Sequence, residues 1–177
     1  VYKVVDDDNQ ALNQLLAGEI DGIEDLSLSN ASNVDGNADT KTATSFSYNV
    51  EELFFNTLDE HFSDEHVRRA LAMAIDRESL TKALTFGYAE IANTVLPRAL
   101  LYQTNDTVNA LSYDIDAAKE ELAQSAYPDG FDTTISIASG NNTRLQEAQI
   151  IQAAGAQIAI LKLMHRKFLH SVQISAI

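Results

Sequence analysis

No cysteine occurs in the 177 residues. Disulfides, thiolate catalysis and thiolate zinc sites are removed together. No apolar run reaches the roughly 20 residues that a membrane-spanning helix needs. Basic residues are scarce: 12 Lys and Arg stand against 26 Asp and Glu, a net charge of −14. That balance argues against a nucleic-acid partner, because cations that neutralise phosphate supply most of such affinity. Catalytic signatures are missing too. No serine sits in a Gly-x-Ser-x-Gly elbow. Gly140-Asn141-Asn142-Thr143 lacks the lysine and the later glycine of a phosphate-binding loop. The acid pairs Glu51-Glu52 and Glu120-Glu121 are adjacent in sequence, so their side chains diverge and form no acid–base pair. The expectation is a protein that is not an enzyme and carries no cofactor and no metal.

What is present is ordinary for a globular domain. Hydrophobic residues make up 45% and charged residues 21%, enough for one domain, or one lobe of a larger protein, with a real core. All 26 acids precede Leu161, so residues 1–160 carry nine basic residues and a net −17. The last 17 residues hold Lys162, Arg166 and Lys167 and no acid. The opening residues do not have the pattern of a secretory signal. The chain is expected to begin inside a structure or after a removed leader.

Along the chain, residues 9–16 read as a short helix with Asp7 or Asp8 as N-cap and Gly18 as its stop. Residues 20–23 read as a short strand. Residues 27–43, rich in Ser, Asn, Asp, Gly and Thr, read as a surface loop. Alternation of Phe46 and Tyr48 with small polar residues predicts a strand over 44–50, and the continuous run Leu53-Phe54-Phe55 predicts one over 53–57. Val67, Ala70, Leu71, Ala74 and Ile75 fall at helical spacing behind Ser63 or Asp64, and Asp76 caps a second helix that stops at Gly87. Residues 88–113 form a long connector. A helix follows over 114–126, with Ala117, Ala118 and Leu122 inward and Lys119, Glu120 and Glu121 outward. Pro128-Asp129-Gly130 signals a turn. A strand over 131–138, a helix from Asn142 or Thr143 to about Gln157, and a strand over 158–164 imply a parallel crossover. The class is therefore α/β with a mixed sheet flanked by helices.

Candidate sites each have a plainer reading. Asp6-Asp7-Asp8 lacks the alternation and glycine of a calcium loop, and acids favour a helix N-terminus. His61 and His66 are five apart, as are His165 and His170, which suits surface histidines better than a zinc pair at three or four. Residues 67–84 have the outline of helix–turn–helix, but only Arg77 and Lys82 are basic on the second helix.

One stretch goes further. Phe62, Asp64, Val67, Arg68, Ala70, Leu71, Ala74, Ile75, Asp76 and Arg77, followed by Gly87 and Pro97, match a phrase "PF-x-D-x-x-VR-x-A-L-x-x-A-I-D-R" with His61 in place of its proline. The segment Leu15-Leu-Ala-Gly-Glu-Ile-Asp21, the segment from Tyr113 to Phe131, and Ile150-Ile-Gln-Ala-Ala-Gly-Ala-Gln-Ile-Ala-Ile160 agree in order with three further phrases. Together they resemble the family 5 solute-binding proteins, the oligopeptide, dipeptide and nickel binders of ABC importers. Gly155 departs where the family has a bulky residue, usually Trp, and Ala159 where it has Gly. Arg68 is expected to pair with an acid or a carbonyl group.

The resemblance implies a periplasmic-binding-protein-like type II lobe over residues 1–160 and a basic tail over 161–177 that lies outside it. It implies capture of a peptide between two lobes, delivery to an ABC permease, an extracytoplasmic monomer in the periplasm or held at the cell surface as a lipoprotein, and no cofactor. Cleft-facing positions carried over from the family are Phe54, Ser139, Asn141 and Asn142. The rival reading is a protein-interaction or structural domain without a small ligand.

Overall fold

A computed structural model describes residues 1–101, 111–138, 142–160 and 164–168. Seven helices and two strands lie among them, in the order α1 Asp8–Leu16, α2 Leu28–Asp35, α3 Glu60–Ser63, α4 Glu65–Ala74, α5 Arg77–Thr85, α6 Ile115–Leu122, β1 Thr134–Ala138, α7 Asn142–Ala156 and β2 Met164–Phe168. β1 and β2 pair in parallel, with Thr134 opposite Met164 and Ala138 opposite Phe168, across the α7 crossover. The α/β class and the parallel crossover are as expected.

Aspartates start five of the helices. The side chains of Asp7, Asp59, Asp64, Asp76 and Asp114 accept from the backbone N–H of Gln10, His61, His66, Ser79 and Ala117. Each bond satisfies a donor that the helix cannot pair internally.

The core forms where α4 meets α6. Val67, Ala70, Leu71 and Ala74 on α4 and Ala118 and Leu122 on α6 are buried together with Ile158 and Ile160. Three of the six helix positions are alanine, so the two backbones approach closely. Both ends of the pair are tied: Asp114 N–H donates to Met73 O at 3.0 Å, and Ala126 N–H donates to Asp64 Oδ2 at 2.9 Å. The start of α4 thus sits beside the end of α6, and the helices run antiparallel. Asp64 serves α4 as cap and α6 as anchor, and the Ala126 N–H is the main reason its carboxyl lies below the ordinary 3.8. Arg68 donates Nη1 to the carbonyl oxygens of Phe62 at 2.7 Å and Ser63 at 3.0 Å, closing the end of α3.

Several expectations are corrected. Residues 28–35 are helix, not loop, because Ala31 and Val34, three apart among polar residues, are buried. Residues 20–23, 44–50 and 53–57 have no strand pairing among the described residues. Among the described residues the sheet is therefore the two parallel strands β1 and β2. The last strand is Met164–Phe168 and not 158–164. Ile158 and Ile160 enter the core through the end of α7 instead. There Ala159 adopts φ 63°, its N–H bonds Ala156 O at 3.4 Å, and Ile160 N–H bonds Gly155 O at 3.0 Å. This is a Schellman ending with alanine where glycine is favoured. Gly130, at φ 81°, lies against it: a Cβ there would come within 1.9 Å of Ala159 O. Glu121, expected outward, is drawn in, with Oε1 2.8 Å from Arg69 Nε and 3.0 Å from His66 Nδ1.

Candidate functional site

The Phe55 ring lies 5.3 Å from that of Phe62, within an aromatic layer that includes Tyr127 and Phe131 and packs against the core. Phe54, the residue before Phe55, is turned outward and is 76% exposed.

Three residues before it, Glu51 reaches α7. Its two carboxylate oxygens lie 2.7 and 3.0 Å from Nη2 of Arg144. This ion pair joins segments 93 residues apart, and Phe54 follows three residues after its acidic partner. Glu147, one turn farther, is half-buried. Burial pushes its carboxyl above the ordinary 4.5, the Glu51 charge adds to the shift, and the Arg144 guanidinium opposes it.

Of the four residues expected at a cleft, Phe54 is exposed, three residues along the chain from Glu51. Asn142 is the first residue of α7, two positions before Arg144. Ser139 and Asn141 lie outside the described residues. Glu51, Arg144 and Glu147 were not among the expected contacts. A signal for Arg144 was available: it is the lone basic residue between Lys119 and Lys162, and it stands in a helix's first turn, where the dipole disfavours cations. A cation placed there needs an anionic partner from elsewhere.

An open groove of about 260 Å³ lies on another part of the surface, between Thr44, Ser45 and Phe46 and the turn from Gly87 to Glu90. The Arg98 guanidinium sits 4.5 Å over the Phe46 ring and is ion-paired with Glu90. Tyr88 donates its hydroxyl to Asp35 at 3.2 Å. Arg77 steadies the neighbouring connector by donating to Asn93 Oδ1 and to Leu111 O.

The first two histidines have structural partners and are not open surface groups. The His61 ring stacks on Phe131 at 4.3 Å, with Nδ1 3.0 Å from Asp59, while His66 meets Glu121. Burial, and the charges of Glu60, Asp59 and Asp64, push the nearby Tyr127 hydroxyl above 10.0. His170 lies outside the described residues. No group of three or more His, Cys, Asp or Glu able to hold a metal occurs among the described residues. Nor is any helix there long and apolar enough to cross a membrane.

The sequence profile of the family described as "Bacterial extracellular solute-binding proteins, family 5 Middle" matches residues 1–161. Glutathione-binding protein GsiB of Salmonella choleraesuis is 30% identical over 159 residues, which are 90% of this chain and 31% of that protein. Heme-binding protein A of Haemophilus influenzae is 32% identical over 116 residues, 63% of this chain and 21% of that protein. The ABC transporter-associated periplasmic binding protein DppA from Helicobacter pylori, solved in complex with peptide STSA, superposes with a TM-score of 0.74 at 25% identity, covering 94% of this chain and 32% of that one. The chain thus spans about a third of the length of such relatives.

Proposed function

The chain belongs to the bacterial extracellular solute-binding proteins of family 5, its fold is a partial lobe of a type II periplasmic binding protein, and from these premises we propose that it forms one wall of a cleft that captures a peptide-class solute for an ABC importer. The relatives are solute-binding transport proteins, and no catalytic family is indicated. The observation that carries the proposal is the junction of Glu51, Phe54 and Arg144. A charged pair from distant segments stands three residues along the chain from an exposed aromatic ring, and none of the three belongs to the buried core.

Glutathione, heme and a free peptide, the solutes named for the relatives, share one chemistry: each carries a free carboxylate and an apolar or backbone portion. Phe54 supplies apolar surface and Arg144 a planar donor suited to carboxylate. Ser139, Asn141 and Asn142 supply hydrogen bonds to peptide groups. In this reading residues 1–160 act with a second lobe by hinge closure. The protein is an extracytoplasmic monomer, delivers its solute to a membrane permease, and catalyses nothing.

The test is thermal unfolding of the protein with the remainder of its chain, in the presence of mixed tripeptides, reduced glutathione or hemin. A ligand at 100 times its dissociation constant adds about 2.7 kcal/mol, so a clear rise in Tm is expected with at least one peptide. Phe54→Ala is expected to weaken that ligand by roughly tenfold while leaving the unliganded Tm unchanged. No stabilisation by any peptide overturns the peptide assignment. No stabilisation by any of the solutes favours a protein-interaction domain.

A further inference from the structure

We infer that Glu51 is an intramolecular stand-in for the solute: its carboxylate holds the place on Arg144 that a carboxylate of the incoming ligand takes. The inference rests on the proposed function and assigns a role within the same site. Both oxygens of Glu51 engage a single nitrogen of Arg144, at 2.7 and 3.0 Å. The pair is open to water, with Arg144 44% and Glu51 62% exposed at the side chain, and an exposed pair of this kind contributes little to stability. It can be exchanged without unfolding its surroundings.

Charge favours exchange over simple addition. Glu147, half-buried one turn along α7, already feels the Glu51 charge, and Arg144 offsets it. A ligand carboxylate added beside Glu51 would crowd a third anion around the same guanidinium. Replacing Glu51 keeps the local charge constant and reuses a guanidinium that is already oriented, which lowers the cost of binding. Glu51 is three residues from the exposed Phe54 ring, so its release also frees the segment that carries the apolar contact.

The experiment uses calorimetry on the protein with the remainder of its chain. Each of a set of tripeptides is supplied as the free acid and as the C-terminal amide, and the readout is the ratio of the two affinities. Damage to the fold lowers both forms alike and leaves the ratio unchanged. Wild type is expected to prefer the acid. Glu51→Gln is expected to raise that preference about twofold to fivefold, the range corresponding to loss of an exposed competing pair. Arg144→Gln is expected to bring it to about one. A ratio that neither substitution moves, with peptides still bound, overturns the inference alone. If no peptide binds wild type in either form, the peptide reading of the site falls and the inference falls with it.

Discussion

The α4–α6 half of the molecule and the segment from residue 41 to 58 are built by opposite rules. In the helix pair every apolar position at helical spacing is covered, from Val67 to Leu122, and both ends are tied by Asp64 and Asp114. In the segment, Phe46, Tyr48, Phe54 and Leu58 stand more than half exposed, on backbone that forms no helix and pairs with no strand among the described residues. Apolar content alone therefore says little about burial here; a residue is buried when its period matches that of its element and a second element covers that face. The helix pair meets both conditions within this chain, whereas in the segment Phe55 alone reaches the core layer and its neighbours face outward.

The same substitution in the two regions gives the sharpest contrast. Leu71→Ala removes a side chain that is 2% exposed between α4 and α6, and it is expected to cost about 2–5 kcal/mol in urea unfolding. Asp64→Ala comes next. It removes a cap and leaves the Ala126 N–H without its acceptor, together about 1–3 kcal/mol.

Asp64 also gives a pH signature. Its folded carboxyl lies below the ordinary 3.8, so its contribution is present above that value and is lost as pH falls through the folded one. Asp64→Asn is expected to flatten the fall in stability as pH drops below the ordinary 3.8. Glu147 has the opposite sign. Its carboxyl lies above the ordinary 4.5, so the ionised form opposes folding at neutral pH, and Glu147→Gln is expected to stabilise there and to lose its advantage as pH falls.

A smaller effect, in the stabilising direction, is expected at the end of α7. Ala159→Gly relieves the left-handed conformation at φ 63° and is expected to add about 0.5–1 kcal/mol. Smallest of all is Leu58→Ala, at a side chain 95% exposed, with a change under about 0.5 kcal/mol. A cost above 2 kcal/mol at Leu58 would erase the contrast between the regions.

Much of this was legible before the structure. Asp7, Asp64 and Asp76 could be read as caps because a short oxygen acceptor ahead of a periodic apolar run has few other uses. Arg68 was expected to meet an acid or a carbonyl group, and it meets two carbonyls. The reading failed where local pattern and tertiary demand part company. Ala31 and Val34 were hidden among Ser and Asn, so α2 passed for a loop. Ile158 and Ile160 alternate as a strand does, yet the Schellman ending of α7 turns both into the core. Glu121 looked solvent-facing until Arg69 and His66 claimed it. At the candidate site Phe54 was foreseen, but Glu51 and Arg144 were not: the lone cation in the first turn of α7 signalled that a partner was needed, and nothing in the chain said that Glu51, 93 residues away, is that partner.

The sequence by itself determined where most of the helices start, which face of α4 is apolar, that the chain is strongly acidic, and which family it resembles. All of these depend on residues near one another along the chain, where spacing and local hydrogen bonding act directly. Only the tertiary structure decided that α6 lies antiparallel on α4, that Ile158 and Ile160 complete that core, that Arg144 meets Glu51, and that Phe54 faces outward. Those outcomes depend on close packing between distant segments, and close packing is a property of how surfaces fit in three dimensions.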